Sequence, residues 1–119
     1  MTGRPGTGRR YRKLAGRMRS LGLPCWLCGR PINYDLPSRH PMGYEYDHYY
    51  PASRWAEFGY PSQYACIHDP ANGRPSHRVC NDIRQNKMPW EGGWPFCGKG
   101  SAAAAPQRPA PPAKRSRAE

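Results

Sequence analysis

No run of apolar residues in this sequence approaches the ~20 that a membrane-crossing helix requires. Met1 does not open onto the basic-then-apolar pattern of a secretory leader either. The chain is therefore expected to be soluble and cytoplasmic, with no membrane partner. Acidic residues are scarce, eight Asp and Glu against nineteen Lys and Arg, for a formal net charge of +11. That imbalance points to a polyanionic partner. A mean hydropathy of −0.96 over 119 residues leaves no room for a large core or a second folded unit. Cysteine is present in an odd number, five. The pairs Cys25/Cys28 and His77/Cys80 are each three residues apart, so a metal framework in a reducing compartment fits better than a disulfide one.

The charge is unevenly placed. Met1 to Arg19 carries seven basic residues and no acid, and the segment from Lys99 onward carries five against Glu119 alone. The stretch 20–98 holds seven of each sign and is neutral. Residues 1–8, broken by Gly and Pro, and 99–119, rich in Ala and Pro, are expected to be disordered basic arms. The domain is expected to occupy 9–98.

Within it, Tyr11, Leu14, Ala15, Met18 and Leu21 recur at helical spacing, predicting a helix over 9–21 that Gly22 and Pro24 end. Its other sides carry Arg9, Arg10, Arg12, Lys13 and Arg17. These read either as an ordinary solvated face or as phosphate contacts. The aromatic run 44–50 has strand character. A packed loop or a short helix is expected around 53–58 and a turn-rich stretch over 69–75. A second helix is expected over 77–87 with Ser76 as its N-cap.

Cys25-Trp26-Leu27-Cys28-Gly29 has the spacing that lets two thiolates reach one metal from a single turn, with Gly29 free to take a positive φ. His77 and Cys80, at i and i+3, share a helix face and complete a tetrahedral set. Cys66 and His68 compete for places in that set. Buried thiols acting as small apolar side chains are the plainer alternative. Asp47-His48 puts a carboxylate beside an imidazole. Because strand side chains alternate, both serve one centre only if the strand ends or bends there. Asn72 and Asn81, each taken alone, read as ordinary turn or surface residues.

Taken together, Cys25-x-x-Cys28-Gly29-Arg30-Pro31-Ile32, Glu45-Tyr46-Asp47-His48-Tyr49-Tyr50-Pro51 and Asn72-x-x-Pro75-x-His77-x-x-Cys80-Asn81 resemble the HNH endonuclease family, in particular its short phage versions. The resemblance runs from about Arg9 to Lys87. It implies a small α+β zinc-stapled domain with the ββα-metal, treble-clef-like fold over 44–87, preceded by the basic helix. By position, His48 matches the first His, Asn72 the middle Asn and Asn81 the last His, an HNN variant. Gly73 departs from the apolar residue usual after the middle Asn.

The implied activity is divalent-metal-dependent cleavage of double-stranded DNA to 5′-phosphate and 3′-hydroxyl ends. His48 is the general base, and Asn72 orients it through its second ring nitrogen or its loop. Asp47 and Asn81 hold Mg²⁺ or Mn²⁺, and Cys25, Cys28, His77 and Cys80 hold structural Zn²⁺. Arg78 and Arg84 are candidate phosphate contacts. Genome processing beside a packaging terminase, in the host cytoplasm, is the role such phage proteins suggest. A non-catalytic zinc module presenting basic arms to nucleic acid is the alternative.

Overall fold

The computed structural model describes residues 8–96, and the expectations for residues 1–7 and 97–119 lie outside them. The elements are α1 (Arg9–Ser20), β1 (Tyr44–His48), α2 (Gln63–Ile67), β2 (Gly73–His77) and α3 (Arg78–Arg84), with short 3-10 turns at Ala52–Arg54 and Pro70–Asn72. Among the described residues no helix is long and apolar enough to cross a membrane.

The architecture is small and α+β. β1 and β2 pair antiparallel, Tyr44 opposite His77 and His48 opposite Gly73. Alternation along this ribbon decides what each face meets. Tyr44 and Tyr46 turn toward α1: the Tyr44 hydroxyl donates to the Ala15 carbonyl at 2.7 Å, and the Tyr46 ring meets Tyr11 edge-on at 5.5 Å. Glu45 and Asp47 turn the other way, toward Asn81 and Arg84 of α3. The ribbon thus lies between the two helices.

α1 follows the expected boundaries, buries Leu14, and ends where Gly22 takes φ +63°. Gly29 also takes the expected positive φ, +80°, behind the cysteine knuckle. The knuckle extends the ribbon, the Trp26 N–H donating to the Pro75 carbonyl at 2.9 Å. Around it packs the core: Cys25, Trp26, Leu27, Ile32, Tyr49, Cys80 and Met88, rimmed by Tyr34, Tyr50, Phe58 and Trp94.

Three sequence expectations are corrected. Ser76 is not the N-cap of α3; it lies inside β2 opposite Glu45, and the helix is entered from His77, with no side-chain cap. The turn-rich reading of 69–75 misses β2. α3 stops at Arg84 because Gln85 takes φ +58° and the Arg84 side chain folds back onto the Lys87 carbonyl. The segment 53–58 begins as a 3-10 turn, fastened by the Arg54 guanidinium to Glu57 and Glu91.

Gly73 has a local reason. A Cβ there would meet the Tyr46 hydroxyl at 2.1 Å, so the Tyr46 ring occupies the space beside the ribbon that an apolar residue at 73 would require.

Candidate metal centre and phosphate-cleaving site

Cys25, Cys28, His77 and Cys80 form a group able to hold one metal ion, their ligand atoms all within 4.8 Å of one another. The two thiol-to-imidazole separations are 3.4 Å for Cys28 Sγ to His77 Nδ1 and 3.7 Å for Cys80 Sγ to the same nitrogen. They bracket the ~3.5 Å edge of a tetrahedron built on Zn–S ~2.3 Å and Zn–N ~2.0 Å, so the donor set fits zinc. The other ring nitrogen, Nε2, lies 3.1 Å from the Pro31 carbonyl. A carbonyl can only accept, so Nε2 carries the proton and Nδ1 keeps its lone pair for a cation. The His77 N–H points at Cys25 Sγ at 3.4 Å, a donor suited to a thiolate. Burial pushes the Cys25 and Cys80 thiols up, and a bound cation would reverse that preference.

The competing ligands are engaged elsewhere. Cys66 is buried with its thiol 3.3 Å from the Tyr50 carbonyl, and His68 stacks on Tyr64 at 3.9 Å while its Nδ1 sits 2.8 Å from the Tyr64 carbonyl.

Of the residues expected at the cleavage site, His48 ends β1 on the α1 face. Its Nε2 lies 2.9 Å from the Ile67 carbonyl, which fixes Nε2 as the protonated nitrogen and leaves Nδ1 with its lone pair. Burial pushes its pKa below the ordinary histidine value, against the opposing pull of Asp47, and His68 and Arg84 depress it further.

Asn72 makes no hydrogen bond to the His48 ring; it holds the loop. Fully buried, its Oδ1 accepts from the Tyr50 N–H at 2.8 Å, and its Nδ2 donates to the Tyr50 and Cys66 carbonyls at 3.1 and 3.2 Å. It ties the end of β1 to the end of α2, next to the carbonyl that orients His48.

Asp47 and Asn81 share the opposite, α3 face. Asp47 Oδ2 accepts from Trp26 Nε1 at 2.8 Å and from Arg84 Nη1 at 3.3 Å. Asn81 Nδ2 donates to Glu45 Oε2 at 2.9 Å. Each residue keeps its Oδ1 outside these bonds, and hard oxygen donors of this kind suit Mg²⁺ or Mn²⁺ better than a thiophilic ion. Glu45 is the residue that sequence reasoning missed. Its signal was present, an acid two positions before Asp47 and hence on the same strand face. Burial pushes its carboxyl up, as do Asp82 and Asp47, while the Asn81 amide pulls it down.

Arg84 is not a phosphate contact. It is 1% exposed, and its guanidinium donates to the His48 and Tyr49 carbonyls at 2.6 Å each while lying over Trp26 at 5.0 Å. Arg78 is half-buried and holds the 36–42 loop through the Arg39 carbonyl. Arg9, Arg10, Arg12, Lys13 and Arg17 are exposed on α1. Comparison with known proteins returns no match to this chain, whether as a family model, a curated protein or a solved structure.

Proposed function

We propose that the chain is a divalent-metal-dependent DNA endonuclease of the HNH type, built on a ββα-metal core whose Cys₃His cluster holds structural zinc. One observation carries the reading: at the end of β1 the ribbon places His48 on one face and Asp47, with Asn81 of α3, on the other. In-line displacement at phosphorus needs the attacking water and the leaving oxygen on opposite sides. Because β1 ends at His48, a phosphate at the strand's end can meet the base on one side and the cation-holding oxygens on the other.

The roles follow from the atoms. Held by the Ile67 carbonyl and kept neutral by burial, His48 accepts the water proton at Nδ1. Asp47 and Asn81 offer their Oδ1 atoms to Mg²⁺ or Mn²⁺, which when bound neutralises phosphoryl charge and stabilises the departing 3′-oxygen. Asn72 keeps the Tyr50 and Cys66 backbone in register, so that the carbonyl orienting His48 stays in place. Arg9, Arg12, Lys13 and Arg17, exposed on the helix that covers the His48 face, supply phosphate contacts along a duplex. Cleavage leaves 5′-phosphate and 3′-hydroxyl ends. Phage genome processing with a packaging terminase is the biological role that goes with this reading.

Supercoiled plasmid tests it. Zinc-loaded protein should nick or linearise the plasmid with Mg²⁺ or Mn²⁺, and His48→Ala should abolish the activity. Cleavage that persists in the variant sinks the site. Binding to DNA without any metal-dependent cleavage by the wild type assigns the chain to the non-catalytic zinc modules instead.

A further inference from the structure

Asn81 poses a chemical problem that a histidine in its place would not. An asparagine side chain ends in two arms of nearly equal shape, one an acceptor oxygen and the other a pair of N–H donors. Only the oxygen can ligate a cation, and an unconstrained amide turns either arm outward. In this protein the amide is constrained: Nδ2 donates to Glu45 Oε2 at 2.9 Å. An ionised carboxylate accepts and cannot donate, so the partnership is satisfied only with the NH₂ arm toward Glu45 and Oδ1 on the far side.

Both residues are anchored. Glu45 faces α3 by strand alternation and is half-buried, opposite Ser76 in the ribbon. Asn81 directly follows Cys80, whose place in the Cys₃His cluster fixes the rotation of α3.

We infer that Glu45 is a positioning residue that acts through Asn81, sorting its amide so that the oxygen and not the nitrogen is presented to the divalent cation. The inference rests on the nuclease reading above. It assigns Glu45 no contact with the metal or the phosphate. It also explains why the strand carries two acids on one face: Asp47 offers an oxygen, and Glu45 orients one.

The experiment measures Mn²⁺ binding to the zinc-loaded full chain by electron paramagnetic resonance titration, with no DNA and no turnover. Glu45→Gln keeps an acceptor oxygen on a side chain of the same length, so its affinity is expected within about twofold of wild type. Glu45→Leu removes the acceptor and is expected to weaken binding about tenfold or more, the usual effect of losing an outer partner of a metal ligand. Zinc content and melting temperature of each variant check that the fold is intact.

Unchanged Mn²⁺ binding in Glu45→Leu overturns the inference and leaves the nuclease reading standing. So does a Glu45→Gln loss as deep as that of Glu45→Leu, which would make the carboxylate itself a ligand. Wild-type protein that binds no Mn²⁺ overturns the nuclease reading, and this inference with it. Should Glu45→Leu fail to fold, wild-type protein labelled with ¹⁵N and ¹³C gives a second measurement under Mg²⁺ titration. The Asn81 Cγ resonance should move on Mg²⁺ addition while one of its NH₂ protons stays protected from solvent exchange by Glu45. A Cγ resonance that stays in place, or an NH₂ pair without that protection, overturns the inference.

Discussion

Arg84 and Asp47 meet in the protein interior at 3.3 Å, a guanidinium from the last turn of α3 on a carboxylate from β1. The same guanidinium caps the His48 and Tyr49 carbonyls where β1 runs out of ladder partners. Removing one member of a buried pair strands the other, at a cost of about 3–5 kcal/mol. Arg84→Met should therefore destabilise the zinc-loaded domain by about that much in thermal or denaturant melts. Arg84→Lys should recover less than half, since an ammonium cannot span both carbonyls. A loss under ~1 kcal/mol in Arg84→Met would show the clamp to be incidental.

Two cysteines, both buried, should behave differently on substitution. Cys25→Ser breaks the Cys₃His cluster and should abolish the cooperative melt, as should a strong chelator, if a metal held there ties the knuckle to α3 and so supports the small core. Cys66→Ser lies outside the cluster and should leave one zinc per chain by elemental analysis. A zinc content that falls in Cys66→Ser, or a melt that survives in Cys25→Ser, would redraw the ligand set.

Under the proposed nuclease function, the pH profile of cleavage should follow His48. The base works when neutral, and burial places its folded-state pKa below the ordinary value of ~6.5. Activity should hold as pH falls through 6.5 and be lost only as pH drops through the lower, folded-state value. Stability carries the same sign: a histidine buried neutral costs the fold as pH falls below its unfolded value. A single-turnover rate that already halves above pH 6.5 would contradict this.

Gly73→Ala tests the ribbon. The added Cβ would meet the Tyr46 hydroxyl and ring at 2.1 and 2.5 Å, and Tyr46 is itself buried beneath α1. Overpacking of this kind costs about 1–3 kcal/mol. Tyr46→Leu in the Gly73→Ala background should recover part of that loss, measured by the same melts. Absence of any destabilisation in Gly73→Ala would show that the ring moves aside freely.

The residues that announced themselves in the sequence were those whose chemistry is local. The α1 stripe, the knuckle with Gly29, and the spacing of His77 and Cys80 each rest on contacts within a turn or two, and each stands where the spacing put it. β2 did not announce itself, because Gly73, Pro75 and Ser76 are poor strand formers. They are held extended by Tyr44–His48 on one side and, at the Pro75 carbonyl, by Trp26 on the other. Arg84 misled for a related reason. An arginine on a basic helix reads as solvated, and only the tertiary arrangement supplies two unpaired carbonyls and two indole faces to draw it inside. Glu45 went unread because its role exists only through a partner thirty-six positions away.

His77 closes β2, leads into α3 and carries the cluster's imidazole, so strand passes into helix with no intervening loop. Insertions, which most domains absorb between elements, have no harmless place at this corner, because one added residue would turn Cys80 and Asn81 about the helix axis together. The segment between Pro51 and Cys66 is held as well, by Asn72 at both ends, by buried Tyr60 and by the Arg54 pairs with Glu57 and Glu91. Divergent copies of this protein should keep the junction at 77–78 without gaps.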